Sequence, residues 1–159
     1  MGRIDYAKLT AIDAMAGEDD EETDQLRTLY EDAKEFIKSF KWSGKVENVY
    51  FGLGVADVIG VFLFELVPVS EDVDRFLWVI VGDVPPAYLV IDNAKNPACA
   101  LGIYIAEMNR WADAVNAGES IKQNIPVNGA PTKENAASLK KRLEFIEREI
   151  LQYYNGDLM

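Results

Sequence analysis

Histidine is absent from this 159-residue chain, and cysteine occurs once, as Cys99. Without histidine the chain has no Ser–His–Asp or Cys–His catalysis, no His-containing zinc site and no proton transfer by imidazole. One cysteine forms neither an internal disulfide nor a thiolate metal site. Cys99 falls near the start of a predicted helix, where a thiol can become reactive, but no base is present to activate it, so we predict a core residue. We therefore predict no catalytic residue, no bound metal and no cofactor.

Long apolar segments are missing as well. The longest, Val58–Leu66, contains Glu65 and is far shorter than the ~20 apolar residues of a spanning helix. The first twenty residues carry acids where a secretion signal would have a basic and then an apolar region. Together with the single cysteine, these features predict a soluble cytoplasmic protein that has no membrane partner.

Basic residues are few: 16 Lys and Arg stand against 27 Asp and Glu, for a formal net charge of −11. Residues 1–24 hold eight of the acids and only two bases, Arg3 and Lys8. Such a balance repels nucleic acids and anionic membranes and attracts basic proteins. The predicted partner is a basic protein, and no nucleic acid is expected to bind.

Two periodicities divide the rest of the chain. Apolar residues at helical spacing predict three main helices, at about 24–42, from Asn96-Pro97 to Gly118, and from Pro131-Thr132 onward. Runs of β-branched and aromatic residues predict four strands: Val46–Phe51, Val61–Val67, Phe76–Val81 and Ala87–Ile91. Because the joins between strands are short, the sheet should be mainly antiparallel. The order α-β-β-β-β-α-α predicts an α+β fold in which three helices pack on about four strands.

The amino-terminal residues are predicted to lie outside that fold. Apolar residues three apart in residues 1–15 are compatible with a short helix, and the run Glu18–Glu22 is typical of a solvated linker. We therefore divide the chain into an acidic, flexible leader, residues 1–22, and a single globular α+β domain, residues 23–159.

Several segments occur together in a recognisable order: VFLFELVP, DRFLWVIVGDVPPAYLV, ALGIYIAEMNRWADAV, IPVN and RLEFIEREIL. This combination resembles a group of small uncharacterised bacterial proteins, over roughly residues 26–151, and its most specific part is GDVPPAYL at residues 82–89. The resemblance implies a shared single-domain fold and a bacterial source. It implies no activity, cofactor or catalytic residue.

Carboxylates are the only abundant groups suited to catalysis. If Asp57 and Asp83 met at one end of the sheet, they could hold Mg²⁺ or act as an acid–base pair. Alternatively, Asp83 accepts backbone hydrogen bonds in a turn, as Asp commonly does. Glu65 interrupts an apolar strand, so it should face water or pair with Arg75, Arg110 or a lysine.

The connection Gly82–Pro86 is predicted to be stiff, because Pro85 and Pro86 cannot donate to a strand ladder. Whether either follows a cis peptide bond stays open. The candidate binding residues are Asp57, Asp83, Pro85, Pro86 and Tyr88. Four large aromatic residues could line a pocket or form plain core: Trp78, Tyr88, Tyr104 and Trp111.

Three functions are compatible with these features. The first is a non-enzymatic, acidic protein-binding module, of which an immunity protein against a basic toxin is one version. The second is a small-ligand binder or a carboxylate-dependent, Mg-type enzyme near Asp57 and Asp83. The third is a structural homodimer through the last helix, whose apolar residues alternate at steps of three and four.

Overall fold

The sheet of the computed structural model, which describes residues 4–158, has five antiparallel strands in chain order. They are β1 (Thr10–Ala11), β2 (Lys45–Val55), β3 (Ile59–Val67), β4 (Phe76–Gly82) and β5 (Ala87–Val90). The predicted α+β fold with an antiparallel sheet is confirmed. The strand count is five instead of four, because a two-residue strand such as β1 leaves no periodic pattern in the sequence.

Within residues 4–158, three α-helices accompany the sheet: α1 (Asp20–Lys38), α2 (Pro97–Ala117) and α3 (Lys133–Glu149). Asn96 caps α2 by accepting the Cys99 N–H at 2.8 Å, and Thr132 caps α3 by accepting the Asn135 N–H at 3.1 Å. Helix α2 ends at Gly118 in the left-handed conformation. Short 3₁₀ helices occur at Tyr6–Lys8, Ile12–Ala14, Lys41–Ser43 and Leu151–Asp157.

The amino-terminal segment differs from the predicted linker. Thr10 and Ala11 pair with Phe51 and Tyr50 of β2, and the acidic run forms the start of α1. Its N-cap, Asp19, accepts the Glu22 N–H at 2.8 Å. Acidic side chains in a first turn stabilise a helix through its dipole, so α1 begins four residues before the predicted residue 24. Residues 1–3 of the predicted leader, and Met159, lie outside the described residues.

Helices cover both faces of the sheet. Alternate residues of β3 divide between two clusters: Phe62, Phe64 and Leu66 pack with α1, whereas Val61 and Leu63 pack with α2 and α3. This arrangement buries β3 from Ile59 to Leu66, as its continuous apolar run predicts. The apolar stripe of α3 is also buried within the chain, in the cluster that contains α2. A homodimer through that stripe would therefore have to displace α2.

Glu65 is the one acidic residue of β3, and only 8% of its surface is exposed. Its carboxylate accepts hydrogen bonds from Asn48 Nδ2 at 2.9 Å and from Arg75, whose Nε and Nη2 lie 2.9 and 2.5 Å away. Arg75 is therefore the partner of Glu65 among those proposed from the sequence. The buried charge is thus fully hydrogen-bonded, as burial of a carboxylate requires.

Candidate functional site

Gly82, the last residue of β4, sets the direction of the segment 82–88 that leads into β5. Its φ of +146° is a conformation that residues with a side chain rarely adopt. A Cβ atom at this position would overlap the carbonyl oxygen of Val58. The next N–H, of Asp83, donates to that same oxygen at 2.9 Å. The segment is therefore fixed to the turn between β2 and β3.

A buried phenol holds the middle of the same segment. The Tyr104 hydroxyl of α2 donates to the Pro85 carbonyl oxygen at 2.5 Å, and the tyrosine side chain is completely buried. Burial raises the pKa of Tyr104, so the hydroxyl stays a donor at physiological pH. Among residues 4–158 all peptide bonds are trans, those before Pro85 and Pro86 included. The prolines and the tyrosine together make a stiff, preformed loop, as the sequence predicts.

Tyr104→Phe tests this restraint. The substitution leaves the Pro85 carbonyl without its donor, so we expect the free energy of unfolding to fall by about 1–3 kcal/mol. Urea denaturation measures the change. Tyr153→Phe is the matched control, because Tyr153 is 75% exposed and its loss of a hydroxyl should have no effect on stability. Equal stabilities of the two variants would show that the hydrogen bond does not restrain the loop.

Asp57 and Asp83 lie at the same end of the sheet, but their carboxylates contact different helices. Asp57 Oδ2 accepts from Gln25 Nε2 of α1 at 3.1 Å, whereas Asp83 Oδ2 accepts from Arg142 Nε of α3 at 3.2 Å. These helices cover opposite faces of the sheet. The two cavities that Asp83 lines do not include Asp57. Within the described residues, no cluster of three or more Asp, Glu or Cys is arranged to hold a metal ion.

Four aromatic side chains meet beside the loop, and we call them the aromatic patch: Phe36 of α1, Phe40 and Trp42 just after that helix, and Tyr88. All four are half-buried. The Tyr88 ring centroid lies 5.3 Å from that of Phe40 and 5.0 Å from that of Trp42, both edge to face. Phe40 also stacks on Trp42, at 5.1 Å. Such ring pairs stabilise one another beyond simple burial, so the patch is ordered although it is accessible.

A groove of about 380 Å³ opens against the aromatic patch, and we call it the Tyr88 groove. Its walls are mainly apolar: Phe36, Phe40, Pro86, Ala87, Tyr88 and the segment Ile125–Asn128. That segment belongs to the connection between α2 and α3 and supplies the wall opposite α1. The volume lies within the range of protein ligand sites, about 300–1,000 Å³.

One end of the Tyr88 groove is acidic. A second cavity, of about 390 Å³, shares Phe36 and Pro86 with the groove and is lined by Asp32 and Glu35 of α1 and by Ser39, its C-cap. Asp32 and Glu35 are exposed, and among residues 4–158 neither forms an ion pair. The site thus combines an apolar groove with two carboxylates that are open to a ligand.

The candidate binding residues proposed from the sequence lie in different parts of the structure. Pro86 and Tyr88 line the groove, and Pro85 holds the loop through its carbonyl. Asp83 lies on the α3 side of the loop, and Asp57 lies on the turn between β2 and β3. The other aromatic residues proposed for a pocket, Trp78, Tyr104 and Trp111, are buried core.

Sequence reasoning missed Phe36, Phe40 and Trp42, which the helical pattern assigns to the core. A signal was nevertheless present. Leu26, Leu29, Ala33 and Ile37 form the buried stripe of α1, and the additional Phe36 makes the apolar face of the helix wider than this stripe.

Comparison with protein-family models, with curated proteins and with solved structures found no match to this chain. The resemblance noted for residues 82–89 stays a prediction. None of the helices within residues 4–158 combines the length and the apolar character needed to cross a bilayer.

Proposed function

We propose that this protein is a docking module whose Tyr88 groove binds a basic segment of another protein. The observation that carries the proposal is that the groove beside the aromatic patch shares Phe36 and Pro86 with the cavity that Asp32 and Glu35 line. Aromatic residues dominate the binding energy of protein interfaces, where they receive apolar anchors. The groove walls are largely apolar, which suits contact with a partner rather than acid–base chemistry.

Charge supports the choice of a basic partner. The chain carries a net charge of −11, and complementary charge accelerates association and selects among partners. At the site itself, Asp32 and Glu35 can pair with lysine or arginine residues that flank an anchor seated on Tyr88. A basic toxin would be one such partner, and the protein would then act as its immunity protein.

The rigidity of the loop also favours docking. Asp83 ties the start of the loop to Val58, and Tyr104 holds Pro85, so Pro86 and Tyr88 are in place before a ligand arrives. A preformed surface loses little conformational entropy on binding, which leaves more of the contact energy as affinity. A groove of about 380 Å³ holds one or two side chains, so the expected ligand is a short segment.

Selection from a library of random dodecapeptides, displayed against the whole protein, tests the proposal. We expect the enriched peptides to combine Lys or Arg with one aromatic or large aliphatic residue. A representative peptide is then synthesised, and its affinity for wild type and variants is measured by fluorescence anisotropy. Failure to enrich such peptides would count against docking.

The variants locate the binding site. Tyr88→Ala removes a central ring, so we expect the peptide to bind at least about 30-fold more weakly, the loss typical of an interface hot spot. Asp32→Asn with Glu35→Gln should weaken binding severalfold and reduce its dependence on salt. Glu71→Gln with Asp72→Asn removes the same charge from an exposed connection elsewhere and should leave affinity unchanged. Equal affinity of the peptide for wild type and Tyr88→Ala would overturn the proposal.

A further inference from the structure

We propose that a second cleft binds a small organic anion with at least two phosphate or carboxylate groups. The cleft has a volume of about 750 Å³ and lies between α1 and the first half of β2. Three lysines line it: Lys34 and Lys38 of α1, and Lys45 at the start of β2. It shares no lining residue with the Tyr88 groove, so the inference is independent of the docking function.

The three lysines have no acidic partner of their own. Among residues 4–158 only Lys8 and Lys140 of the ten lysines form ion pairs; Lys34, Lys38 and Lys45 are among the eight that do not, and these three line one cleft. In a chain with a large excess of acids, three uncompensated cations in one cleft form a local positive site. A bound anion would supply the missing partner.

Two carboxylates also line the cleft, and they do not cancel its charge. The two are Glu47 and Asp13. Glu47 Oε2 lies 3.6 Å from Arg75 Nη2, so this carboxylate already has a cation outside the lysine group. Asn48 already donates its amide to Glu65 at 2.9 Å. The lining therefore keeps an excess of positive charge.

Helix stability alone does not account for these lysines. Lys38 lies in the last turn of α1, where a cation complements the helix dipole. Lys34 is one turn earlier, and its repulsion of Lys38 offsets the support that Glu31 and Glu35, three residues before the two lysines, give to the helix. Lys45 lies outside the helix altogether. Their common feature is the cleft, whose charge only a bound anion would offset.

The spacing and the walls define the class of ligand. Lysines four residues apart on a helix have Cβ atoms about 5–6 Å apart, and Lys45 adds a cation from a different element. Several anionic groups of one molecule can therefore be bound together.

The rings of Tyr30 and Tyr50 line the same cleft and offer contacts to an apolar or planar part of the ligand. Lys34 Nζ lies 5.9 Å from the Tyr30 ring centroid, which places the cation beside that wall. A nucleic acid is disfavoured by the net charge of −11.

Isothermal titration calorimetry of the full chain at an ionic strength of about 0.1 M, where charges more than about 10 Å apart are screened, tests the proposal, with inorganic pyrophosphate and citrate as probes. We expect saturable binding of one molecule per chain for at least one probe, and the preferred probe identifies phosphate or carboxylate chemistry. The variant K34Q/K38Q/K45Q should bind it at least about tenfold more weakly, because charge-assisted hydrogen bonds are lost.

The control variant K95Q/K122Q/K133Q removes the same charge at three exposed positions outside the cleft. It should bind within about twofold of wild type, since distant surface charges are screened. Circular dichroism establishes that both variants are folded. Binding that does not saturate, or an equal loss in both variants, would overturn the proposal by showing that any binding reflects the overall field of the protein.

Discussion

Gly82→Ala is expected to lower the free energy of unfolding by about 3 kcal/mol or more. The new Cβ would overlap the Val58 carbonyl oxygen and lie 2.8 Å from Ile59 Cα, and both of these atoms belong to the backbone of the sheet. No side chain can rotate away to relieve the contact. In addition, a φ of +146° is strained for alanine. The loop must therefore shift, and with it Pro86 and Tyr88.

Urea denaturation measures this effect against Gly129→Ala. Gly129 has no atom within 4 Å of the Cβ position, so its substitution should change stability by no more than about 0.5 kcal/mol. The displaced loop should also weaken binding of a selected peptide at the Tyr88 groove. Equal stability of Gly82→Ala and Gly129→Ala would contradict the close contact between Gly82 and the Val58 carbonyl oxygen.

Arg75→Ala is expected to lower the free energy of unfolding at neutral pH, because it leaves the buried Glu65 carboxylate with Asn48 as its remaining side-chain partner. The Glu65 side chain is only 10% exposed, so water cannot replace the guanidinium fully. Arg148→Ala is the matched control. Its side chain is 58% exposed against 57% for Arg75, but its acidic partners lie at the surface. The control should lose clearly less stability than Arg75→Ala, because ion pairs between exposed side chains contribute little.

At acidic pH, the difference in the free energy of unfolding between wild type and Arg75→Ala should become smaller. The hydrogen bond from Asn48 and then the contacts with Arg75 hold the pKa of Glu65 below its usual value of 4.5, although burial alone would raise it. A carboxyl whose pKa is lower in the folded state stabilises the protein fully above its unfolded pKa and loses that contribution as pH falls through the folded pKa. Once Glu65 is protonated, the unpaired charge disappears from the variant. Urea denaturation of wild type and Arg75→Ala, at neutral pH and at about pH 3, measures the difference in stability at each pH. A difference that did not change with pH would contradict a charged Glu65 as its cause.

The long elements could be predicted because their apolar residues repeat at helical or strand spacing. Helix α2 and strand β3 are clear examples, since burial alone determines their pattern. The start of α1 was misplaced because acidic residues are typical of both linkers and helix amino termini. Strand β1 is set by its pairing with Tyr50 and Phe51, a tertiary contact that leaves no local signal.

The candidate site was predicted only in part, for related reasons. The double proline and Tyr88 identify a stiff, accessible loop from local chemistry alone. Phe36, Trp42 and Ile125 come from other parts of the chain, and only the fold brings them to Tyr88. Whether Asp57 and Asp83 meet was left open by the sequence, and both lie at one end of the sheet. Their carboxylates diverge because α1 and α3 provide partners on opposite faces.

The central claim is that the Tyr88 groove and its acidic end form the docking surface. The most direct measurement is a titration of ¹⁵N-labelled protein with a selected basic peptide, followed by two-dimensional NMR. We expect the largest shift changes at the Trp42 indole N–H and in residues 32–42, 84–88 and 125–128. Shift changes centred instead on the lysine-lined cleft or on α3, or no localised change at saturating peptide, would contradict the account.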